Sequence, residues 1–246
     1  MSGPRIVSRE DWLRARIELL AKEKALTDAR DEVSAARRAL PMTPVEKDYR
    51  FRSASGEKSL LDLFEGRRQL ITYHFMFDPS WDEGCVSCSF LVDNVAHLGH
   101  LHSRDTSFAA VSRAPMEKIE KFKARMGWTI PWVSSFGTDF NYDFKVTVDE
   151  SVAPVEYNYK DKATLEREGL THHMSGEQHG LSVFFRDDDS NVFHTYSTYG
   201  RGPDIVLGTY NYLDFTPLGR QEVGTGIMFF KHHDRYESAA DGPSCH

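Results

Sequence analysis

The chain has 246 residues, of which 37 are acidic and 30 basic, giving a formal net charge of −7. With 40% hydrophobic and 27% charged residues it is neither disordered nor fibrous in composition, and its length is enough to bury a core without covalent staples. Three cysteines, Cys85, Cys88 and Cys245, are too few for a disulfide scaffold and suit a reducing compartment.

The chain divides into an N-terminal long helix at 1–40, a main domain at 41–235 and a flexible tail at 236–246. Ser8 with Asp11 forms a capping box, and Trp12, Leu19, Leu26, Val33 and Leu40 recur every seven residues. Ala15, Ala29 and Ala36 lie on the same side, interrupted by Lys22, and Pro41 ends the helix. Such a stripe packs on its own domain or mediates a homodimer.

From residue 45 strands and helices alternate. Tyr49–Phe51 reads as a short strand, 55–58 as a turn and Leu60–Phe64 as a helical turn. Leu70–Phe77 is an apolar run suited to a strand buried on both faces. Cys85–Leu101 reads as a helix, Phe108–Val111 as a second buried strand, Pro115–Met126 as a helix closed by Gly127, and Pro131–Ser134 as a third strand. Leu181–Phe185 and Val192–Tyr196 flank the turn 187–191 as a hairpin, and Asp204–Leu213 reads as the last helix. No pattern assigns residues 143–179. This order predicts a parallel sheet covered on both faces, with an antiparallel hairpin at one side.

The longest apolar run has eight residues, against ~20 for a membrane-spanning helix. The first five residues lead into a charged segment, so a cytoplasmic protein is expected, with no membrane partner. The acidic balance argues against a nucleic-acid partner.

The chemistry concentrates at Cys85-Val86-Ser87-Cys88, placed after a strand and loop and at the start of a helix. Spacing of three puts both sulfurs on one helix face. Unpaired N–H groups and the helix dipole there stabilise a thiolate, lowering a cysteine pKa from ~8.5 into the range ~3.5–7.5. Cys85 is then the nucleophile, and Cys88 resolves the mixed disulfide. Gly84 permits close approach of backbone or substrate, and Trp81 can shield the thiols or form a docking edge. Asp78, Asp82 and Glu83 are expected to oppose the thiolate by repulsion, with Arg113 and Arg201 as candidates to offset them. A second reading makes Cys85 and Cys88 metal ligands, with His179 or His194 completing a copper or zinc site. A third is a non-catalytic interaction domain. Thiol exchange needs no organic cofactor.

The sequence resembles the thioredoxin-like superfamily, in its peroxiredoxin-type members, through Tyr49–Phe77 and through Phe108–Arg113, Pro115–Gly127 and Pro131–Val133. More closely, it resembles a bacterial family known as domain of unknown function 899. The segments that carry this are His74–Phe77, Trp81, Glu83–Phe90, Val111–Pro115, Met126–Trp128, Pro131–Ser135, Asp139–Asp143, Phe193–Tyr199, Arg201-Gly202, Tyr212–Asp214, Thr216-Pro217 and His233-Asp234. The resemblance implies a thioredoxin-like α/β fold and dithiol–disulfide oxidoreductase activity on a protein or small thiol. It also implies a docking strand near His179-Gly180, where thioredoxin-like folds often carry a proline. The peroxidatic pattern Pro-x-x-x-Thr-x-x-Cys is absent, since Asp78 and Asp82 occupy those places before Cys85.

Overall fold

The computed structural model describes residues 5–222 and 230–236. Cys245 and residues 237–246 of the expected tail lie outside the described residues. Helix α1 spans Arg9–Arg38, and the Ser8 side chain accepts the Asp11 N–H at 3.1 Å, as the capping box requires. Leu40 falls beyond its end.

Strand β1 (Thr43–Pro44) leads to a hairpin of β2 (Arg50–Ser53) and β3 (Gly56–Ser59). A single 3-10 turn, Leu61–Phe64, precedes β4 (Gln69–His74). Then come α2 (Val86–Asp93), α3 (Leu98–His102), β5 (Thr106–Ser112), α4 (Met116–Arg125) and β6 (Trp132–Ser134). The stretch that the pattern left unassigned holds α5 (Phe140–Asp143), β7 (Thr147–Val148), β8 (Glu156–Tyr157), β9 (Lys160–Asp161), α6 (Lys162–Arg167) and β10 (Gly176–Glu177). The chain then forms β11 (Gly180–Arg186), β12 (Val192–Tyr199) and α7 (Gly208–Asp214).

Two expected helices are each broken in two. After Cys85, Asn94 ends α2 because its side-chain amide donates to Phe90 O at 2.7 Å while its oxygen accepts Thr209 N–H at 2.7 Å. His97 then caps α3 by accepting Gly99 N–H. The last helix is a 3-10 turn at Gly202–Val206 followed by α7.

Eight strands make one sheet in the order β1-β12-β11-β4-β5-β6-β2-β3. The core of it, β4, β5 and β6, is parallel, and β11 and β12 join antiparallel on the β4 side. This mixed sheet, flanked by helices and preceded by a long helix, is the thioredoxin-like arrangement, with the hairpin placed where strand–helix alternation predicts it. Side chains alternate across β4. Tyr73 and Phe75 enter a cluster with Cys88, Leu91, Ile119, Phe122 and Trp132. Leu70 enters another with Phe51, Phe64, Phe144, Tyr157 and Phe184. Full burial of each such side chain is worth ~1.5–3 kcal/mol, which makes these two layers the main source of stability. Among the described residues no helix is long and apolar enough to cross a membrane.

Candidate active site

Strand β4 ends at His74, and the chain continues through Phe75–Glu83 to α2. Cys85 is the residue immediately before α2. Its N–H donates to Met76 O at 3.1 Å, and its carbonyl accepts from Ser89 N–H at 2.9 Å and the Ser89 hydroxyl at 2.8 Å. Gly84 is buried, and a Cβ added there would lie 2.6 Å from the Phe75 ring and 2.8 Å from that of Phe122. Only glycine lets the loop pass this close to the core. Lys118 fastens the same loop, donating to Pro79 O at 2.9 Å and Trp81 O at 2.8 Å.

The two thiols differ in setting. Cys85 is half-buried and Cys88 fully buried, and both are free. Interaction with the Cys88 thiol does most to lower the Cys85 pKa, burial opposes it, and the Ser87 hydroxyl at 3.1 Å and the N–H groups of Cys88 and Ser87 assist. The result is a pKa of about 6, so Cys85 is largely thiolate at neutral pH. Burial pushes the Cys88 thiol well above its ordinary value, and the neighbouring Cys85 pushes the same way. Tyr73 and the Met76 N–H, 3.4 Å from Cys88 Sγ, act against that rise.

The expected acidic opposition to Cys85 is corrected by the structure for Glu83 and Asp78. Glu83 accepts from Arg125 Nη1 at 2.7 Å and also pairs with Arg235, so its charge is compensated. Asp78 accepts from Ser80 N–H at 2.8 Å and the Ser80 hydroxyl at 2.6 Å. Neither carboxylate ranks among the main influences on Cys85. Of the suggested cations, Arg113 helps hold the Asp78 pKa down and Arg201 acts elsewhere. Arg113 pairs with the buried Glu177 at 3.0 Å, and Arg201 with Asp204 at 2.8 Å.

Residues 230–236, from the far end of the chain, complete the support. Buried His232 lies with Nε2 3.0 Å from Gly84 O and Nδ1 3.2 Å from Arg125 Nη2. Arg125 grips Asp234 through two hydrogen bonds, at 2.8 and 3.0 Å. Phe230 stacks on Phe90 of α2 with ring centroids 4.4 Å apart. The sequence pattern alone does not point to Ser87, Arg125 and His232 as site residues. For Ser87 the usable signal is a hydroxyl in the first helical turn beside a nucleophile; the distant partners carry no local signal.

Of the other expected site residues, Trp81 is 36% exposed on the loop before Cys85. The His179 ring lies 6.5 Å from that of Tyr73, edge to face, which places it beside the cysteine layer. Burial holds its pKa down at about 4. Gly180 serves packing: a Cβ there would lie 2.5 Å from the Tyr199 ring. His194 belongs to the other layer, with Phe144 and Phe184 at 5.3 and 5.5 Å and the Ser197 hydroxyl at 2.7 Å. It does not join the thiols, and among the described residues no group of three or more His, Cys, Asp or Glu side chains could hold a metal ion. Cys85 and Cys88 therefore form no such group with His179 or with His194.

The family described as "Bacterial protein of unknown function (DUF899)" matches residues 1–236. No curated protein matches the chain. Among solved structures, a cysteine-to-serine mutant of PrxQ from Xylella fastidiosa is similar over 70% of this chain and 94% of its own, at 14% identity and a TM-score of 0.45. A cysteine-to-serine mutant of peroxiredoxin Q from Xanthomonas campestris is similar over 70% and 98%, at 15% identity and a TM-score of 0.40. Yeast mitochondrial 1-Cys peroxiredoxin is similar over 71% and 78%, at 16% identity and a TM-score of 0.40.

Proposed function

This chain belongs to the DUF899 family of bacterial proteins, and we propose that its activity is dithiol–disulfide exchange at Cys85 and Cys88. One observation carries the reading: the two thiols are neighbours of opposite character, Cys85 accessible and acidic, Cys88 buried and protonated.

The Cys85 thiolate attacks one sulfur of a substrate disulfide. A Cys85–substrate disulfide forms as the substrate S–S bond breaks and one substrate thiolate leaves. Cys88 gives up its proton and attacks Cys85 Sγ. The Cys85–Cys88 disulfide forms, and the second substrate thiolate departs. Two electrons have passed from the protein dithiol to the substrate, and the reverse sequence oxidises a substrate dithiol. Met76 N–H and Tyr73 are placed to support the charge that develops on Cys88. Trp81, exposed before the nucleophile, and His179, beside Tyr73, are the groups from which a docking surface for a protein or small thiol would be built.

Trapping tests the proposal. Cys88→Ser expressed in cells is expected to accumulate covalent adducts on Cys85, released by dithiothreitol and absent from Cys85→Ser. A Cys88→Ser chain without adducts, or one that matches Cys85→Ser, overturns it.

A further inference from the structure

We propose that α1 is a dimerisation seam that takes a second copy of this chain in parallel. The helix has 30 residues, none of them buried, and at ~1.5 Å per residue it is ~45 Å long. Trp12, Leu19, Leu26 and Val33 recur every seven residues and are between 46% and 62% exposed. Ala15, Lys22, Ala29 and Ala36 follow them at a spacing of three. These are the two core rows of a heptad repeat, with alanines that admit close approach. A surface helix ordinarily turns its apolar stripe onto its own domain. Here the contact with the domain lies beside the stripe near the C-terminal end of the helix, where Ser34 is half-buried and the Arg37 guanidinium, on the edge of the seam, lies 5.6 Å from the Tyr196 ring centroid.

The charges beside the seam select the occupant and its direction. The residues preceding each first-row position are Asp11, Glu18, Ala25 and Glu32. Those four places after it are Arg16, Glu23, Arg30 and Arg37. In a parallel pair each member of the first set meets the member of the second set five residues further on in the partner. Asp11 then meets Arg16, and Glu32 meets Arg37, in both directions. Arg16 bonds Glu23 within its own helix at 2.9 Å through Nη2, which moderates the meeting of Glu18 with Glu23. A fully overlapping antiparallel pair brings Asp11 against Glu32 and Arg16 against Arg37, and only Glu23 against Arg30 is favourable. Lys22, alone among the seam residues in carrying charge, costs stability and fixes the register.

Light scattering on the full chain tests this. The expected mass is twice 28.1 kDa at micromolar concentration, falling to 28.1 kDa in Leu19→Glu/Leu26→Glu with circular dichroism unchanged. Both positions are exposed in one copy, so their loss does not disturb the monomer. Direction is read from Ala29→Cys in a chain whose native cysteines are serines. A parallel pair aligns residue 29 with itself, so mild oxidation is expected to give a covalent dimer. A monomeric full chain, a dimer indifferent to the glutamates, or no crosslink at residue 29 overturns the proposal.

Discussion

The two ends of the chain flank the same sheet and attach to it in opposite ways. Helix α1 is long, regular and well capped, yet none of its residues is buried. Residues 230–236 contain only one 3-10 turn, His233–Arg235, yet they bury His232, stack Phe230 on α2, pair Arg235 with Glu83 of the loop before the thiols and set His233 Nδ1 2.8 Å from Asp93 of α2. Regularity comes from neighbours in sequence, attachment from partners far away in it. The C-terminal segment therefore belongs to the candidate site, and α1 belongs to whatever the outer surface meets.

Removal of each end gives the largest contrast. A chain that stops before Phe230 is expected to lose several kcal/mol, since it forfeits an aromatic stack, leaves Gly84 O without its His232 partner and takes Arg235 from Glu83. Deleting residues 1–38 is expected to shift the domain's unfolding free energy by no more than ~0.5 kcal/mol, as for exposed surface changes. Urea titrations of both chains at low protein concentration check this; equal losses would erase the contrast.

Gly84→Ala is expected to cost ~1–3 kcal/mol by overpacking, because the new methyl meets the rings of Phe75 and Phe122 below 3 Å. The same experiment at an exposed position of α1 outside the seam, Ala21→Ser, is expected to leave the midpoint in place.

The sheet itself predicts a pH dependence that neither end supplies. Burial holds His74 at about 3 and His179 at about 4, both below the unfolded value near 6.5. Each is neutral in the fold, while the unfolded chain takes up protons as pH falls through ~6.5. Stability contributed by the neutral forms is thus present above ~6.5 and is lost as pH falls from there to about 4 for His179 and about 3 for His74. Urea midpoints at pH 7, 6 and 5 should fall in that order, in the chain lacking residues 1–38 as in the whole chain.

What the sequence discloses divides along the same line. The capping of α1, the buried strands β4 and β5, and the position of Cys85 before a helix all follow from residues within a turn or two of each other. The break after α2 does not, because Asn94 bonds Thr209, 115 residues away. Nor does the compensation of Glu83, whose cations lie 42 and 152 residues distant. The sequence allows His194 beside the thiols because strand alternation alone cannot say which layer a residue enters. The register between β11 and β12 decides that, and it shifts at Val183/Phe184.

The smallest expected effect bears most directly on chemistry. Glu83 stands two residues before Cys85, and its negative charge is compatible with a thiolate there only while Arg125 and Arg235 hold it. Arg125→Ala/Arg235→Ala leaves that carboxylate unpaired, and a like charge nearby disfavours the thiolate. The Cys85 pKa should rise from about 6 toward the ordinary cysteine value. Iodoacetamide alkylation of Cys85 followed from pH 5 to 9 reads the change as a slower reaction at pH 6 with the plateau at high pH retained. Leu19→Glu/Leu26→Glu, at the other end of the chain, should reproduce the unsubstituted profile. If the arginine pair also leaves the profile unmoved, the low pKa belongs to Cys88, Ser87 and the helix N–H groups alone, and the C-terminal segment holds the loop without tuning the nucleophile.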